Sequence, residues 1–295
     1  MDSMITISTE YVRDRITPRP IDMHKGQAGR VLVVAGSPGM AGAAVLALRG
    51  ALYSGAGLVK ALVPRELFNI IQISVPEAMC VDRDEFCKGS MEHKRSFLKE
   101  FDGAAIGPGM GVNEENLEIM KVILETCTCP VVIDADGLNC ISSFGLPGVH
   151  KGPTILTPHP GEADRLLRSL GLGDVRSLGR ERAAEVLAES SGGVVLLKGA
   201  ETVICDGHDN CRMYVNPTGN PGMATGGSGD VLTGIIVSLA AQKNLGLAPV
   251  EAACTGAFIH GLAGDIAAEN VGEYGMTSAD IADGISVALK ELVGI

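Results

Sequence analysis

An acidic residue beside a run of glycines is the part of this chain that could most directly do chemistry. Residues 225–230 read TGGSGD, and an apolar stretch with helical periodicity follows. Glycine lets the main chain turn tightly, so the N–H groups of Gly227, Ser228 and Gly229 could point into one concavity beside the unpaired amides of a helix N-terminus. Such a concavity binds phosphate. Asp230 at its mouth could accept a proton from a hydroxyl group that attacks phosphorus.

The same residues also have a purely structural explanation. Serine and aspartate favour the N-cap position of helices, so Ser228 or Asp230 could simply cap the helix. Both explanations stay open at this point, because a short glycine motif alone does not identify a phosphate site.

Short apolar runs, each typical of a strand buried on both faces, recur along the chain. Segments with helical periodicity separate them, which predicts an α/β fold with a mostly parallel sheet and helices on both faces. Two later runs, joined by residues 208–210, predict an antiparallel hairpin near the end of the sheet. The predicted buried strands are residues 30–35, 57–63, 103–107, 130–134, 154–158 and 193–199.

Ligands of such sheets bind beyond the carboxyl ends of the strands, so the residues that follow each strand should share one rim. Asp134, Asp136 and Glu162 would bring three carboxylates there, together with Asp230. Carboxylates of this kind hold Mg²⁺ through water more often than in a full protein cage, which suits a nucleotide site. The alternative is that Asp136 and Glu162 cap helices. His159, between two prolines, would be rigidly presented on the same rim.

Two further patterns could contact phosphate. Lys198 ends a strand and is followed by Gly199 and Thr202, which favours a phosphate contact over a solvated helix terminus. The G-x-x-G-x-x-G of residues 36–42 lacks the start of a dinucleotide fingerprint and the lysine of a P-loop, so we expect it mainly to pack a helix against a strand.

Length and composition limit the function further. The 295 residues, 46% of them hydrophobic, can form one large domain that spans residues 1–295. A formal charge of -11 disfavours general binding to nucleic acid or anionic membrane. The eight cysteines show no C-x-x-C pair, so we expect reduced thiols. The charged first residues and the lack of an 18-residue apolar run predict a cytoplasmic protein.

Eight stretches, in order along nearly the whole chain, resemble the ADP- or ATP-dependent NAD(P)H-hydrate dehydratases, a branch of the ribokinase-like superfamily. The resemblance implies a three-layer ribokinase-like fold and a homotetramer. Many members of the family carry a fused epimerase domain, for which the thirty or so residues before the first predicted strand are too few. The matching stretches are HKGQAGRVLVVAGSPGMAGAAVLA, SGAGLV, PEAM, GPGMG, DADGLN, LTPHPGEADRLL, LLKGAETVI and NPGMATGGSGDVLTG.

The resemblance implies a repair enzyme that restores NADH or NADPH from the S form of the hydrated dinucleotide. ADP or ATP would phosphorylate the ring hydroxyl with Mg²⁺ present, and elimination would then release phosphate and leave AMP or ADP. Asp230 would deprotonate the hydroxyl, while the amides of residues 227–230, through Gly227, Ser228 and Gly229, would stabilise the transferred phosphoryl group.

The same resemblance implies binding residues. In the wider superfamily an N-x-x-E motif assists Mg²⁺; here HPGE places Glu162 at its acid, where it would act through water, and His159 in place of asparagine. The residues implied for the nucleotide are Lys198, Gly199, Ala200, Glu201, Thr202 and Gly229. Those implied for the hydrated dinucleotide are Ala41, Gly109, Gly111, Asp136, His159 and Asp230.

Two other functions share the glycine loop. One is a ribokinase-like kinase that phosphorylates a small alcohol, such as a vitamin precursor, to a stable product. The other is a non-catalytic nucleotide sensor, which gives no reason for an acid at Asp230. The stretches HKGQAGRV, GPGMG and HPGE resemble the dehydratases instead. The sequence does not distinguish ADP from ATP, or NADH hydrate from NADPH hydrate.

Overall fold

The computed structural model describes residues 4–145, 150–207 and 211–294. Ten strands form one sheet, and the six predicted buried runs all lie in it. The strands are β1 (Ile5–Thr6), β2 (Arg30–Val34), β3 (Leu58–Val63), β4 (Met79–Asp82), β5 (Gly103–Ile106), β6 (Val131–Ile133), β7 (Thr154–Leu156), β8 (Val194–Leu197), β9 (Thr202–Asp206) and β10 (Arg212–Asn216).

Helices connect most of these strands and make up the C-terminal part of the described chain. Short 3₁₀ turns lie at Arg65–Leu67 and Pro221–Met223. The helices are α1 (Thr9–Arg13), α2 (Ala41–Tyr53), α3 (Phe68–Ser74), α4 (Arg83–Lys88), α5 (Met91–Leu98), α6 (Glu114–Thr126), α7 (Ala135–Phe144), α8 (Pro160–Ser169), α9 (Val175–Leu178), α10 (Arg180–Ser191), α11 (Ser228–Ala241), α12 (Pro249–Val271) and α13 (Ser278–Val293).

The strand order is β1-β10-β9-β8-β7-β6-β5-β2-β3-β4, and β9 alone runs antiparallel to its neighbours. The predicted hairpin of β9 and β10 is confirmed, although its connecting residues 208–210 lie outside the described part. The edge strands β1 and β4 were not predicted. With two and four residues they are too short to give a recognisable pattern, and β1 precedes the strand that the sequence analysis placed first.

Helices cover both faces of the sheet, as predicted. Successive residues of β2 point to opposite faces, so Val31 and Val33 belong to one core and Leu32 and Val34 to the other. The first core contains α2, α11, α12 and α13, and the second contains α6, α7, α8 and α10. This double burial explains why the strands are continuously apolar.

The parallel strands β2, β5, β6, β7 and β8 end at one edge of the sheet, so the segments that follow them form a common rim. All eight cysteines are free thiols. Among the described helices, none is long and apolar enough to span a membrane.

Candidate active site

The TGGSGD segment forms the junction between a tight turn and helix α11. Gly227 occupies the N-cap position with φ 93°, and no side chain caps the helix. A side chain at Gly227 would collide with Leu46 on α2, so both the conformation and the close approach require glycine. Asp230 lies in the first turn of the helix. The explanation of Ser228 or Asp230 as a helix cap is therefore wrong.

Side chains from two remote helices hold this turn. Ser278, at the start of α13, donates to the carbonyl oxygen of Gly226 at 2.7 Å. The Ser228 hydroxyl lies 3.3 Å from Nε2 of His260 on α12. Burial lowers the pKa of His260 to about 4, so the imidazole is neutral near pH 7. His260 has no sequence signal beyond its residue type, and the sequence analysis missed it.

Asp230 has the titration expected of a general base. Burial raises the pKa of its carboxyl group to about 7, and the nearby carboxylate of Asp134 adds to the increase. The ammonium group of Lys198 opposes this effect. A base with a pKa near 7 is available for proton transfer under physiological conditions and still has a useful affinity for the proton.

Lys198 joins the carboxylates of the rim. Its Nζ lies 2.7 Å from Oδ1 of Asp134 and 3.7 Å from Oε2 of Glu162. Thr233 of α11 donates to the other oxygen of Asp134 at 2.7 Å. Burial by itself would lower the pKa of Lys198, but the charges of Asp134 and Glu162 outweigh it and raise the pKa. The lysine is therefore a fixed positive charge.

This charge lies directly beside the glycine turn. A Cβ atom on Gly229 would be 3.1 Å from Nζ of Lys198, so the turn lies in close contact with the ammonium group. Lys198, predicted at the end of a strand, is brought together with Gly229 and Asp230 of the predicted glycine loop. We name this group, with Asp134 and Glu162, the charged cluster.

His159 and Glu162 have a clear structural role. His159 is the N-cap of α8, and its Nδ1 accepts from the Gly161 amide at 3.0 Å. Glu162 completes the capping box by accepting from the His159 amide at 2.8 Å. The capping explanation is thus confirmed for Glu162. His159 remains half exposed at the rim, whereas the Glu162 side chain is buried.

The carboxylates of the rim have few free oxygens to offer a magnesium ion. Both oxygens of Asp134 and both oxygens of Glu162 already have protein partners. In the described chain, only one group of three potential ligands lies close enough together to hold a metal ion. It consists of Glu185, Glu189 and Cys211, and it is not on the rim. The rim residues therefore fit a hydrated Mg²⁺ that is carried by nucleotide phosphates, and not a direct protein cage.

The predicted dinucleotide residues form a second group beside the charged cluster. Asp136 accepts from the Gly111 amide at 2.9 Å through Oδ2, so it is not a helix cap. A Cβ atom on Gly109 would lie 2.9 Å from Ala43 and 3.0 Å from Met40, which places this turn against the start of α2 at Ala41.

The packing predicted for the G-x-x-G-x-x-G segment holds at Gly36, where a Cβ atom would lie 3.2 Å from Ala44 of α2. Gly36 donates from its amide to the carbonyl oxygen of Pro108 at 2.8 Å and packs closely on Leu67. Gly42 has open space around it, so helix packing does not explain this glycine. We name residues 36–40 and 107–111 the paired glycine turns.

The predicted nucleotide segment 198–202 forms an exposed turn. Thr202 closes it by donating to the Gly199 carbonyl oxygen at 2.9 Å. Arg180 of α10 donates to the carbonyl oxygens of Ala200 and Leu197. Gly199, Ala200 and Glu201 are exposed, and Glu201 has φ 52°.

Comparison with known proteins shows to which family this chain belongs. Residues 31–286 match the family model described as NAD(P)H-hydrate dehydratase. The chain belongs to this family. It is 42% identical over 295 residues to a bifunctional NAD(P)H-hydrate repair enzyme of Moorella thermoacetica, covering 97% of this chain and 54% of that relative. The chain spans about half the length of the first curated relatives it matches.

Two other similarities cover nearly the full length of both partners. An ADP-dependent (S)-NAD(P)H-hydrate dehydratase of Neisseria meningitidis is 38% identical over 272 residues, which are 90% of this chain and 86% of that protein. An ADP/ATP-dependent NAD(P)H-hydrate dehydratase of Bacillus subtilis, co-crystallised with ATP and Mg²⁺, superposes with a TM-score of 0.85 at 29% identity, covering 99% of this chain and 100% of the other. The ribokinase-like dehydratase fold is thereby confirmed.

Proposed function

We propose that this chain dehydrates the S form of hydrated NADH or NADPH, using ADP or ATP as phosphoryl donor, and so repairs damaged nicotinamide nucleotide. Membership of the dehydratase family supports the reaction class. The observation that carries the mechanism is the position of Asp230, a carboxyl group with a pKa of about 7 in the first turn of α11, beside Lys198. A homotetramer in the cytoplasm is part of the same proposal.

In the proposed reaction, Asp230 takes the proton of the ring hydroxyl as that oxygen attacks the terminal phosphorus of the donor. The amides of residues 227–230 and the start of α11 stabilise the negative charge on the transferred phosphoryl group. Lys198 stays paired with Asp134 and adds positive charge behind Gly229. The chain supplies position and charge, which is what phosphoryl transfer mainly needs.

The phosphorylated ring then breaks down by elimination. Donation from the ring nitrogen expels phosphate, a much better leaving group than hydroxide, and the reduced dihydropyridine is restored. When bound with the nucleotide, Mg²⁺ would neutralise charge on the phosphates, and Glu162 would contact it through water.

We place the nucleotide and the hydrated dinucleotide on two different parts of the rim. The nucleotide would lie against residues 198–202 and Gly229. The hydrated dinucleotide would lie against Ala41, the paired glycine turns, Asp136 and the exposed edge of His159. This division agrees with the strand order, in which β6 and β7 lie between β8, which precedes the 198–202 turn, and β5 and β2, which precede the paired glycine turns.

The test is turnover of hydrated NADH and hydrated NADPH with ADP and ATP in parallel, followed by the near-ultraviolet absorbance of reduced nicotinamide. We expect absorbance to recover only with a nucleotide donor and Mg²⁺. A chain that binds nucleotide but gives no turnover would be a sensor. A chain that consumes nucleotide only with a small alcohol would be a ribokinase-like kinase.

A further inference from the structure

A buried arginine that the proposed reaction does not use connects the paired glycine turns. Arg83 is the first residue of α4 and is 5% exposed. Its Nη2 donates to the carbonyl oxygens of Ala35 at 2.7 Å and Gly36 at 2.8 Å. Its Nη1 lies 3.4 Å from the carbonyl oxygen of Met110. One guanidinium group therefore reaches the turns that follow two different strands.

In the described chain, the guanidinium group of Arg83 contacts uncharged oxygens and no carboxylate directly. Within residues 4–145, 150–207 and 211–294, it forms no ion pair with a carboxylate, and its Nε has no partner. Burial lowers the pKa of Arg83, but a guanidinium group stays protonated in proteins. The charges of Glu115 and Asp84 oppose this effect without direct contact, and the direct contacts of the guanidinium group with the two turns are hydrogen bonds to neutral carbonyl oxygens.

Asn116 of α6 extends the same network. Its Oδ1 lies 3.4 Å from Nη1 of Arg83, and its Nδ2 donates to the carbonyl oxygens of Met110 at 2.8 Å and Gly111 at 3.0 Å. Ser37 adds a direct bond between the turns by donating to the Gly109 carbonyl oxygen at 2.9 Å. Several carbonyl oxygens of the paired glycine turns thus point to donors within the protein.

We propose that Arg83 is a positioning residue that sets the spacing of the two turns against which the hydrated dinucleotide lies. The inference rests on the proposed function, which assigns Ala41, Gly109 and Gly111 to that substrate. Glycine has no side chain that could hold such a turn in place. The planar guanidinium group, which can donate to both turns at once, is suited to fixing the distance between them. A methionine at residue 83 would donate no hydrogen bond, and a lysine would offer one nitrogen in place of the two terminal nitrogens of the planar guanidinium group.

Arg180 offers a matched comparison on the nucleotide side. It also donates to main-chain carbonyl oxygens, those of Leu197 and Ala200, and its Nε also lacks a partner. If each arginine fixes its own part of the rim, the two substitutions should affect different substrates. Arg65, which is 73% exposed and pairs with Asp82 and Glu85, gives a surface control next to α4.

The experiment measures steady-state kinetics of the full chain with hydrated NADH and ADP varied in turn. We expect Arg83→Met to raise KM for hydrated NADH roughly tenfold or more, since small displacements of a binding surface are costly, while KM for ADP stays within about twofold. Arg180→Met should show the reverse, and Arg65→Met should match wild type. Equal increases in both KM values for Arg83→Met would overturn the inference.

Two further variants keep the test decisive if Arg83→Met does not fold. Arg83→Lys keeps the positive charge but loses the planar guanidinium group, so its KM for hydrated NADH should stay clearly above that of wild type. Asn116→Asp removes the donor to Met110 and Gly111 and should raise the same KM. Full recovery in Arg83→Lys would show that charge alone matters and would contradict a positioning role.

Amide hydrogen exchange separates this inference from the proposed function, because it needs no turnover. Residues 35–41 and 107–112 should exchange faster in Arg83→Met and at the wild-type rate in Arg180→Met. If wild type fails to convert hydrated NADH while these segments exchange faster in Arg83→Met, the proposed function is wrong and the spacing role is supported. Unchanged exchange would overturn the role of Arg83.

Discussion

The two parts of the rim are built by different means. The charged cluster is built mainly from acidic and basic side chains, with Lys198 between Asp134 and Glu162. The paired glycine turns consist of main chain, held by Arg83 and Asn116 through neutral carbonyl oxygens. Asp230 in the charged cluster titrates near pH 7, whereas Arg83 stays charged at all ordinary pH values. In the proposed function, the charged cluster takes the proton and the paired glycine turns provide a fixed shape.

The largest effect should come from removing the base of the charged cluster. Asp230→Asn keeps the shape of the side chain but cannot accept the proton, so we expect kcat to fall ~10²-fold or more. Nucleotide binding, measured by calorimetry, should be retained. Asp283→Asn, at an exposed position on α13, is the control. A variant of Asp230 with more than about a tenth of wild-type kcat would show that another group takes the proton.

Breaking the central ion pair should damage stability as well as activity. Lys198→Met leaves Asp134, which is 1% exposed, buried without its counter-charge, and we expect the free energy of unfolding in urea to fall by ~3 kcal/mol. Lys243→Met breaks the pair of Lys243 with Asp102 at the surface and should cost less than ~1 kcal/mol. If the free energy of unfolding falls by a similar amount in both variants, the Lys198–Asp134 pair has no special role in stability.

The pH dependence should distinguish the two parts of the rim. The pKa of Asp230 is raised to about 7, and the base must be deprotonated, so kcat/KM should increase as pH rises through about 7 and then level off. Arg83→Met should lower kcat/KM at every pH without moving this midpoint. Initial rates across the neutral range provide the measurement, and a profile that is flat between about pH 6 and about pH 8 would exclude Asp230 as the titrating base.

Among the variants of the charged cluster, Glu162→Gln should have the smallest effect, and it concerns the metal requirement. We expect excess chelator to abolish turnover, and Glu162→Gln to raise the Mg²⁺ concentration needed for half-maximal rate by several-fold, on the order of the cost of one charge-assisted contact. Glu118→Gln, which removes an exposed partner of Lys121, is the control. An unchanged Mg²⁺ dependence in Glu162→Gln would limit this residue to capping α8.

Sequence reasoning succeeded where the signal is local. Continuous apolar runs identified the buried strands, and the glycines before Asp230 identified the turn at the start of α11, because each depends on neighbouring residues. Sequence reasoning failed for contacts between residues that lie far apart in the chain. Thr233 contacts Asp134 across 99 residues, and Arg83 contacts Gly36 across 47.

The chemistry of those distant contacts also explains the failure. Arg83 and Arg180 bind carbonyl oxygens, which every residue possesses, so no residue type in the partner marks the contact. Asp134 was placed on the rim correctly, but its pairing with Lys198 depends on the strand order, which the sequence pattern does not specify. The roles of Asp136 and Glu162 could be separated only by seeing which amide each carboxylate binds.

The central claim is that phosphorylation of the hydrated ring is followed by elimination, and product stoichiometry tests it most directly. Reduced nicotinamide absorbance and released phosphate would be followed together in one mixture of this chain, hydrated NADH, Mg²⁺ and ADP or ATP. We expect one phosphate and one restored dihydropyridine for each nucleotide consumed, with no phosphorylated dinucleotide accumulating. Consumption of nucleotide without recovery of the absorbance would contradict the dehydratase function.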